Sequence, residues 1–513
     1  GPYPEHQFPR LKASNGNYTT GDANTTILSN LQYFDLVEFV ADRHNWYANG
    51  CAAIDTSTWL RSRNPGIKLF GVYHSYAVNA TLLNPSCNPN VFAKWQAEHT
   101  ADGGNSSWYM LDDTGAAITW GTTGVTSGQI VVNWTDLQPG YSSSNMATWF
   151  ASHVKSSDFA GAQCAGVDCW DGVILEAAGV PAQYRGALYD MNENGTPDYI
   201  EAGIGRSGVN EEQAAGWALA LSEIARDTNL AVMLDGGWQP APTGINDLPR
   251  LRSAANIAQD FGWPTGISYL DTCASTWSSC PWAPPAGRFW DFHMRQYVTW
   301  QDTAGDEPNS ASYINAMTYY NDFAAMPFSG ATPWGTYVTS YQQYQRFLLG
   351  STLLDNGYAQ IHAGQYGDWC DECGVDLGTG RSARTIEATG YLGCPIDVAR
   401  TTDTNQTMRQ VIATNWATLS NYVWKREFTN GLVVVNPKTT AQTVNVGSGW
   451  KKIYSPSGQS AYNNGAAVSG NLTIPAMNAY VLLRNGAATA TPTNTATSGA
   501  TATPTPTLTA TAT

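Results

Sequence analysis

Residues 190–201 read DMNENGTPDYIE, which places Asp190, Asn192, Asn194, Gly195, Asp198 and Glu201 at positions 1, 3, 5, 6, 9 and 12 of a twelve-residue loop. Oxygen donors at that spacing, with glycine at the sharp turn, match a calcium loop of the EF-hand type. Asp190, Asn192 and Asn194 would offer side-chain oxygens and Thr196 its backbone carbonyl. Asp198 would bind directly or through water, and Glu201 would supply two oxygens. The flanks GVPAQYRGALY and AGIGRSGVN make poor helices, and sensor loops come in pairs, so the expected role of Ca2+ is to pin a long loop. The competing reading is an Asp/Asn/Gly-rich turn with accidental spacing.

A second set of reactive groups closes apolar runs. Strand-like segments end on or near Asp42, Arg43, Tyr73, His74, Glu176, Asp235, Asp260, Asn321, Asp322 and His362. Carboxylates converging on one rim are what glycoside hydrolysis needs: one attacks or stabilises the anomeric carbon, and the other protonates the leaving oxygen. A single Asp at a strand end is as readily a helix cap. Glu176 stands apart because WDGVILE is otherwise a buried apolar strand, and a carboxylate closing it must meet something polar. Trp170, Trp238 and Trp263 lie near these ends as stacking platforms for sugar rings, with Tyr73, His74 and Tyr320 as further substrate contacts. Any of these rings could equally pack a core.

Other chemistries find little support. No Gly-x-Ser-x-Gly elbow and no His-Glu-x-x-His motif occurs, and the seven histidines are scattered. Cysteines lie at 51, 87, 164, 169, 273, 280, 370, 373 and 394, several in short-spaced pairs. Cys370-Asp-Glu-Cys373 has neither a second pair nor nearby His for zinc, so disulfide-closed loops in an oxidising compartment are expected. The odd cysteine is Cys394 or Cys51. Eight Asn-x-Ser/Thr sequons, among them Asn133-Trp-Thr and Asn405-Gln-Thr, matter only in a glycosylating host.

The elements that must position these groups alternate in type. Candidate strands are DLVEFV (35–40), IKLFGVY (67–73), IVVNW (130–134), DGVILE (171–176), LAVMLDG (230–236), ANIAQDF (255–261), YINAMTYY (313–320) and YAQIHAG (358–364). WYMLDD (108–113) competes with IVVNW for third place. Amphipathic runs such as 211–228, 288–300 and 341–354 lie between them. Eight strands with intervening helices is the count of a (β/α)8 TIM barrel, an α/β fold whose catalytic groups sit at strand carboxyl ends. A doubly wound sheet is the alternative, but no Gly-rich phosphate loop follows a first strand.

The expected organisation is an N-terminal extension, residues 1–30, packing on a barrel of 31–420, then an all-β sandwich of 421–486. From 487 the chain is almost all Thr, Ala and Pro and should be a disordered linker to further modules or a surface anchor.

Bulk composition narrows the partners. A formal charge of −15 over 513 residues argues against nucleic acid, which wants clustered Lys and Arg. Only 13% of residues are charged whereas 12% are aromatic, which suits an extracellular protein that offers rings to carbohydrate. No run of about 18 apolar residues is present to span a membrane.

The segments GYLGCPIDVAR, VWKREFTNGLVVVNP and LTIPAMNAYVLL resemble the C-terminal signature of the bacterial glycosidases grouped as hypothetical glycosyl hydrolase family 15. WDGVILEAAGV is similar to the fourth strand of barrel glycosidases. The resemblance covers roughly residues 30–485 and implies a TIM barrel with a small β-sandwich that acts on O-glycosidic bonds. Many relatives end the fourth strand with Asp where Glu176 stands here. By analogy with barrel enzymes that pair the fourth and sixth strands, Glu176 is the expected nucleophile and Asp260 the acid/base, with Asp235 in reserve. The expected function is a secreted glycoside hydrolase. A non-catalytic glycan-binding or cell-surface glycoprotein is one alternative, and a polysaccharide lyase using Tyr319, Tyr320 or His362 is another.

Overall fold

The computed structural model describes residues 8–14, 34–40, 60–74, 77–79, 110–120, 129–135, 146–155, 171–176, 189–190, 192–196, 219–220, 222, 224, 231–235, 257–259, 290–291, 294–295, 297–298, 341–362, 390–453 and 461–485. Seven short strands form one parallel sheet. They are β1 (Leu11–Ser14), β2 (Leu36–Val40), β3 (Lys68–His74), β4 (Gly172–Glu176), β5 (Ala231–Asp235), β6 (Ile257–Gln259) and β7 (Ala359–His362). Their spatial order is β6-β5-β4-β3-β2-β1-β7. Chain order thus runs unbroken from β1 to β6, and the last strand lies against the first.

Two sequence expectations are corrected. The N-terminal stretch supplies β1, paired with both β2 and β7, rather than only packing on the barrel. No sheet hydrogen bonding is spare between β3 and β4, which pair directly from Phe70↔Gly172 to His74↔Glu176. IVVNW therefore does not enter the parallel sheet. Gln129–Val131 instead joins Ala77–Asn79 and Thr119–Trp120 in an antiparallel excursion between β3 and β4. The competing WYMLDD segment pairs Leu111–Asp112 antiparallel with Tyr189–Asp190. The segment 313–320, expected as a strand, lies outside the described residues.

Strand alternation assigns the two faces of the sheet. Leu11, Val37, Leu69 and Ala359 belong to one face and share an apolar cluster with Trp290, Tyr297, Phe347 and Leu348 of the helical layer. The other face carries Leu36 and Phe70, both sealed from solvent, and Gly172. A Cβ at Gly172 would stand 2.1 Å from the Phe70 ring, so only glycine fits beneath it. The Asp-Gly of WDGVILE is thereby explained at the amino-terminal end of β4, away from its acid.

The amino-terminal rim is stitched twice by one device. Asp35 Oδ2 accepts the Leu11 N–H at 2.8 Å, while its own N–H donates to the Leu11 carbonyl at 2.9 Å. Asp171 Oδ2 accepts the Leu69 N–H at 2.9 Å, and its N–H donates to the Leu69 carbonyl at 2.7 Å. Arg61 and Lys68 close on the Asp171 carboxylate at 3.1 and 3.2 Å. An aspartate just ahead of a strand thus fixes the register of its neighbour.

The C-terminal part is all β. Arg400–Thr401 (β8), Trp424–Phe428 (β9), Gly431–Asn436 (β10), Gln442–Asn445 (β11), Trp450–Lys452 (β12), Ala467–Val468 (β13), Asn471–Ile474 (β14) and Asn478–Arg484 (β15) make a six-stranded sheet of order β8-β9-β10-β15-β12-β13 and a β11–β14 pair. The sheet begins at residue 400, ahead of the boundary expected at 421. Every residue of β10 is buried, which is why GLVVVN reads as an unbroken apolar run. One face, with Leu432, Val434 and Leu482, meets Leu472 and Ile474 of β14. The other, with Val433, Val435 and Val481, enters the same apolar cluster as the parallel strands.

Helix Tyr341–Thr352 docks there so closely that a Cβ at Gly350 would sit 2.3 Å from that of Ala479. The segments that carry the family resemblance build this junction. Phe8 bonds to Leu392 and Gly393, Thr429 to Cys394, and Gly431 leaves room for the Leu392 side chain. Arg426 is buried and donates to the Leu353, Asp355 and Asp397 carbonyls and to Asn356 Oδ1.

Candidate active site

All seven parallel strands end on the same face. Register pairs link Ser14 with His362 and with Glu38, Val40 with Val72, His74 with Glu176, and Asp235 with Gln259. Two-residue steps along each strand connect these pairs, so positions 14, 40, 74, 176, 235, 259 and 362 all share the face opposite the helical layer. Six of the seven are polar. Before the ends, the same face carries the apolar Leu36 and Phe70 but also the polar positions 12, 38, 68 and 360.

Glu176 ends the third of the seven strands in spatial order, beside the central strand β3. His74 is its direct register partner on β3. On β5, Leu234 pairs with Leu175, so Asp235 is in line with Glu176 on the other side. The three adjacent strands therefore hold His74, Glu176 and Asp235 in one row, with about 4.8 Å between neighbouring backbones. Gln259 continues the row on β6. Tyr73 pairs with Leu175 and lies on the helical face, so it cannot share the row with His74. Asp260, Trp170, Trp238, Trp263 and Tyr320 lie outside the described residues.

Sequence reading passed over two members of the same face, Glu38 and Ser14. For Glu38 the signal was present: a single acid inside the apolar strand LVEFV is as anomalous as the acid that ends VILE. It was hidden because Glu38 is not at the end of its run. Ser14 was hidden because the N-terminal stretch was not read as a strand.

The Asp190 loop follows β4 on its carboxyl side. Asp190 is buried, its Oδ1 accepting the Asn194 N–H at 3.0 Å and its Oδ2 the Gly195 N–H at 2.7 Å. Asn192 Oδ1 also accepts the Asn194 N–H, and Asn194 Oδ1 the Thr196 N–H at 2.8 Å. Gly195 stands at φ 81° and Glu193 at φ 57°, the left-handed conformations that wind the chain around the carboxylate. Among the described residues no group of three or more His, Cys, Asp or Glu could hold a metal, and Asp198 and Glu201 lie outside them. In the described half of the loop, side-chain oxygens of Asp190, Asn192 and Asn194 are taken by backbone N–H groups. On the paired strand, Asp112 makes its own turn. Its carboxylate takes the Thr114 hydroxyl and the Thr114 and Ala116 N–H groups, which hold its pKa below the usual carboxylate range.

Two further sequence features resolve here. Cys394 is exposed and carries no disulfide; the other eight cysteines are outside the described residues. Asn133 is sealed from solvent, its Oδ1 taken by the Thr135 N–H and hydroxyl at 3.1 and 2.7 Å, whereas Asn405 is exposed. No helix among the described residues is long and apolar enough to cross a membrane.

No family model and no curated protein matches the chain. Solved structures similar to it include Amy13B of Eubacterium rectale, at 11% identity and TM-score 0.45 over 94% of this chain and 97% of that one. A GH27 β-L-arabinopyranosidase from Geobacillus stearothermophilus is similar at 10% identity and TM-score 0.43 over 94% and 97%. The trehalose-6-phosphate hydrolase of Bacillus licheniformis is similar at 11% and 0.42 over 93% and 99%. At TM-scores below 0.5 these likenesses carry no weight for function.

Proposed function

We propose that the chain is a glycoside hydrolase whose parallel sheet closes as a (β/α)8 barrel, with the segment 313–320 as the strand between β6 and β7. The observation that carries this reading is the row of His74, Glu176 and Asp235 at the carboxyl edge of three adjacent strands. That edge is where barrel enzymes place their chemistry. The pairing of the last strand with the first supports closure.

In this reading Glu176 attacks the anomeric carbon while a second acid gives its proton to the departing glycosidic oxygen. Water then cleaves the glycosyl–enzyme ester, and the second residue, now a carboxylate, takes the water's proton. Asp235 and Asp260 are the two candidates for that residue. Asp235 stands in register with Glu176 on the adjacent strand, which supports it as the partner acid. His74 binds substrate beside them. The protein acts outside the cell in this reading.

A panel of glycans, followed for new reducing ends and for the ultraviolet absorbance of unsaturated uronates, tests the reading. Reducing ends without that absorbance are expected, and Glu176→Gln should lower kcat by about 10³-fold or more while leaving the fold intact. Asp235→Asn and Asp260→Asn then identify the acid. Unsaturated products would make the protein a lyase, and no product from any glycan would make it a binding protein.

Calcium has a structural place in the same proposal. Asp190, Asn192, Asn194, Thr196, Asp198 and Glu201 would hold Ca2+ and fix the loop after β4. Excess chelator should lower the Tm and expose the loop to protease; an unchanged melting curve and cleavage pattern would remove the ion from the account.

A further inference from the structure

Of the eight Asn-x-Ser/Thr sequons, four have described side chains, and the fold treats them differently. Asn133 is sealed from solvent with its Oδ1 bonded twice to Thr135, so a sugar on its nitrogen would force its surroundings apart. Asn194 holds the Thr196 N–H within the loop assigned to Ca2+. Asn471 is exposed but stands in the β11–β14 pair opposite Asn445. Asn405 is exposed in the turn between β8 and the helix Met408–Asn415.

Backbone contacts hold that turn in place. The Thr401 N–H donates to the Gln406 carbonyl at 2.9 Å, the Gln406 N–H to Thr401 Oγ1 at 3.0 Å, and Arg400 Nη1 to the Asn405 carbonyl at 3.3 Å. Asn405 stands at φ 59°, a left-handed conformation that Asn tolerates better than most residues. Thr407 caps the helix: its Oγ1 accepts the Gln410 N–H at 3.2 Å, and its N–H donates to Gln410 Oε1 at 2.9 Å. Each residue of the sequon thus has structural work that leaves the atoms of glycosylation unused. The turn engages the Asn405 carbonyl and not its side-chain amide, and the cap uses the Thr407 hydroxyl only as an acceptor. Asp403, exposed two positions ahead, adds a negative charge by which a transferase can hold the turn.

The neighbourhood gives a sugar chain something to stand beside. The Arg400 guanidinium that reaches the Asn405 carbonyl also pairs with Asp397 at 2.9 Å. On either side of Asp397 in the chain are Ile396 and Val398, 60% and 38% exposed, the exposed large hydrophobics of the described surface.

We propose that Asn405 is an attachment site for an N-linked oligosaccharide. Its Nδ2 bonds to C1 of the first sugar of a polyprenyl-pyrophosphate-linked oligosaccharide. The C1–O bond to the pyrophosphate breaks, the lipid pyrophosphate leaves with the bonding pair, and the amide gives up one proton. The result is a bulky polar group on the surface. The inference rests on the extracellular reading and stands apart from the glycosidase chemistry.

The full chain, secreted from a host that N-glycosylates, is treated with peptide-N-glycosidase in heavy-oxygen water, which converts each sugar-bearing Asn to a labelled Asp. Peptide mass mapping should find the label at residue 405 in most molecules. Asn405→Asp keeps a residue that tolerates the left-handed turn, and Thr407→Asp keeps a helix cap. Each should remove the mass of one glycan from the secreted chain, whereas Thr407→Ser should retain it. Cooperative melting of all three variants shows that the loss comes from the sequon and not from unfolding. An unlabelled residue 405, with or without label at other sequons, overturns the inference. Glycan cleavage by the same secreted chain reports on the glycosidase reading separately.

Discussion

At the scale of single residues, the acids of this chain divide by the end of the strand they occupy. Asp35 and Asp171 precede strands and do structural work, whereas Glu176 and Asp235 close strands and face the proposed site. Asp35 makes this testable through pH. Burial pushes its carboxyl up to about 6, against the pull of the Leu11 N–H and the Arg10 guanidinium. In the unfolded chain the group ionises near 3.8. Between these values the unfolded chain releases the proton while the folded chain keeps it, so stability falls as pH rises, and the cost is complete above about 6. Asp35 is half-buried, and solvent screens part of the cost. Asp35→Asn keeps an oxygen for the Leu11 N–H. The Tm of the parent should therefore fall relative to the variant between pH 4 and 6; parallel Tm profiles would exclude a role for this carboxyl.

At the scale of elements, register and close approach decide more than propensity. The alternation of β3 separates Tyr73 from His74, although both stand at a strand end in the sequence. Two glycines mark contacts that admit no side chain: Gly172 under Phe70 and Gly350 against Ala479. Gly172→Ala forces a ring to move and Gly350→Ala separates a helix from a strand, each costing roughly 1–3 kcal/mol as overpacking does. Gly115, which stands at φ 79° with open space around it, is the control for backbone strain alone. Calorimetric melting of the three alanine variants should show losses at 172 and 350 even though helix propensity favours Ala at 350. A gain in Tm at Gly350→Ala would contradict the contact.

At the scale of the whole molecule, the parallel strands and the C-terminal sheet share one apolar cluster, running from Leu11 and Val37 through Phe347 and Leu348 to Trp424, Val433 and Val481. Arg426 adds a polar clamp, since its guanidinium satisfies carbonyls at the end of the Tyr341–Thr352 helix. The C-terminal sheet is thus part of the foundation of the parallel sheet and not an appended module. A chain ending at residue 389 would expose that cluster and leave Phe8 without Leu392 and Gly393. It should fail to melt cooperatively, and the full chain should melt in a single calorimetric transition. Two separated transitions, with a truncated chain that still folds, would show the units to be independent.

Much of this was legible in the order of residues alone. Apolar runs such as VILE, AVML and LVVV announced strands, and in the last of them burial on both faces is what demands continuous hydrophobicity. The Asp190 turn was legible because its side chains bond to backbone only two to five residues away. Pairing across long stretches was not. That Leu11–Ser14 is a strand, that IVVNW lies outside the parallel sheet, and that Glu38, Ser14 and His362 meet in a row all depend on hydrogen bonds between segments tens to hundreds of residues apart. A sequence fixes which side chains a strand carries, but only the tertiary structure decides which strand lies beside it, and hence which residues face one another.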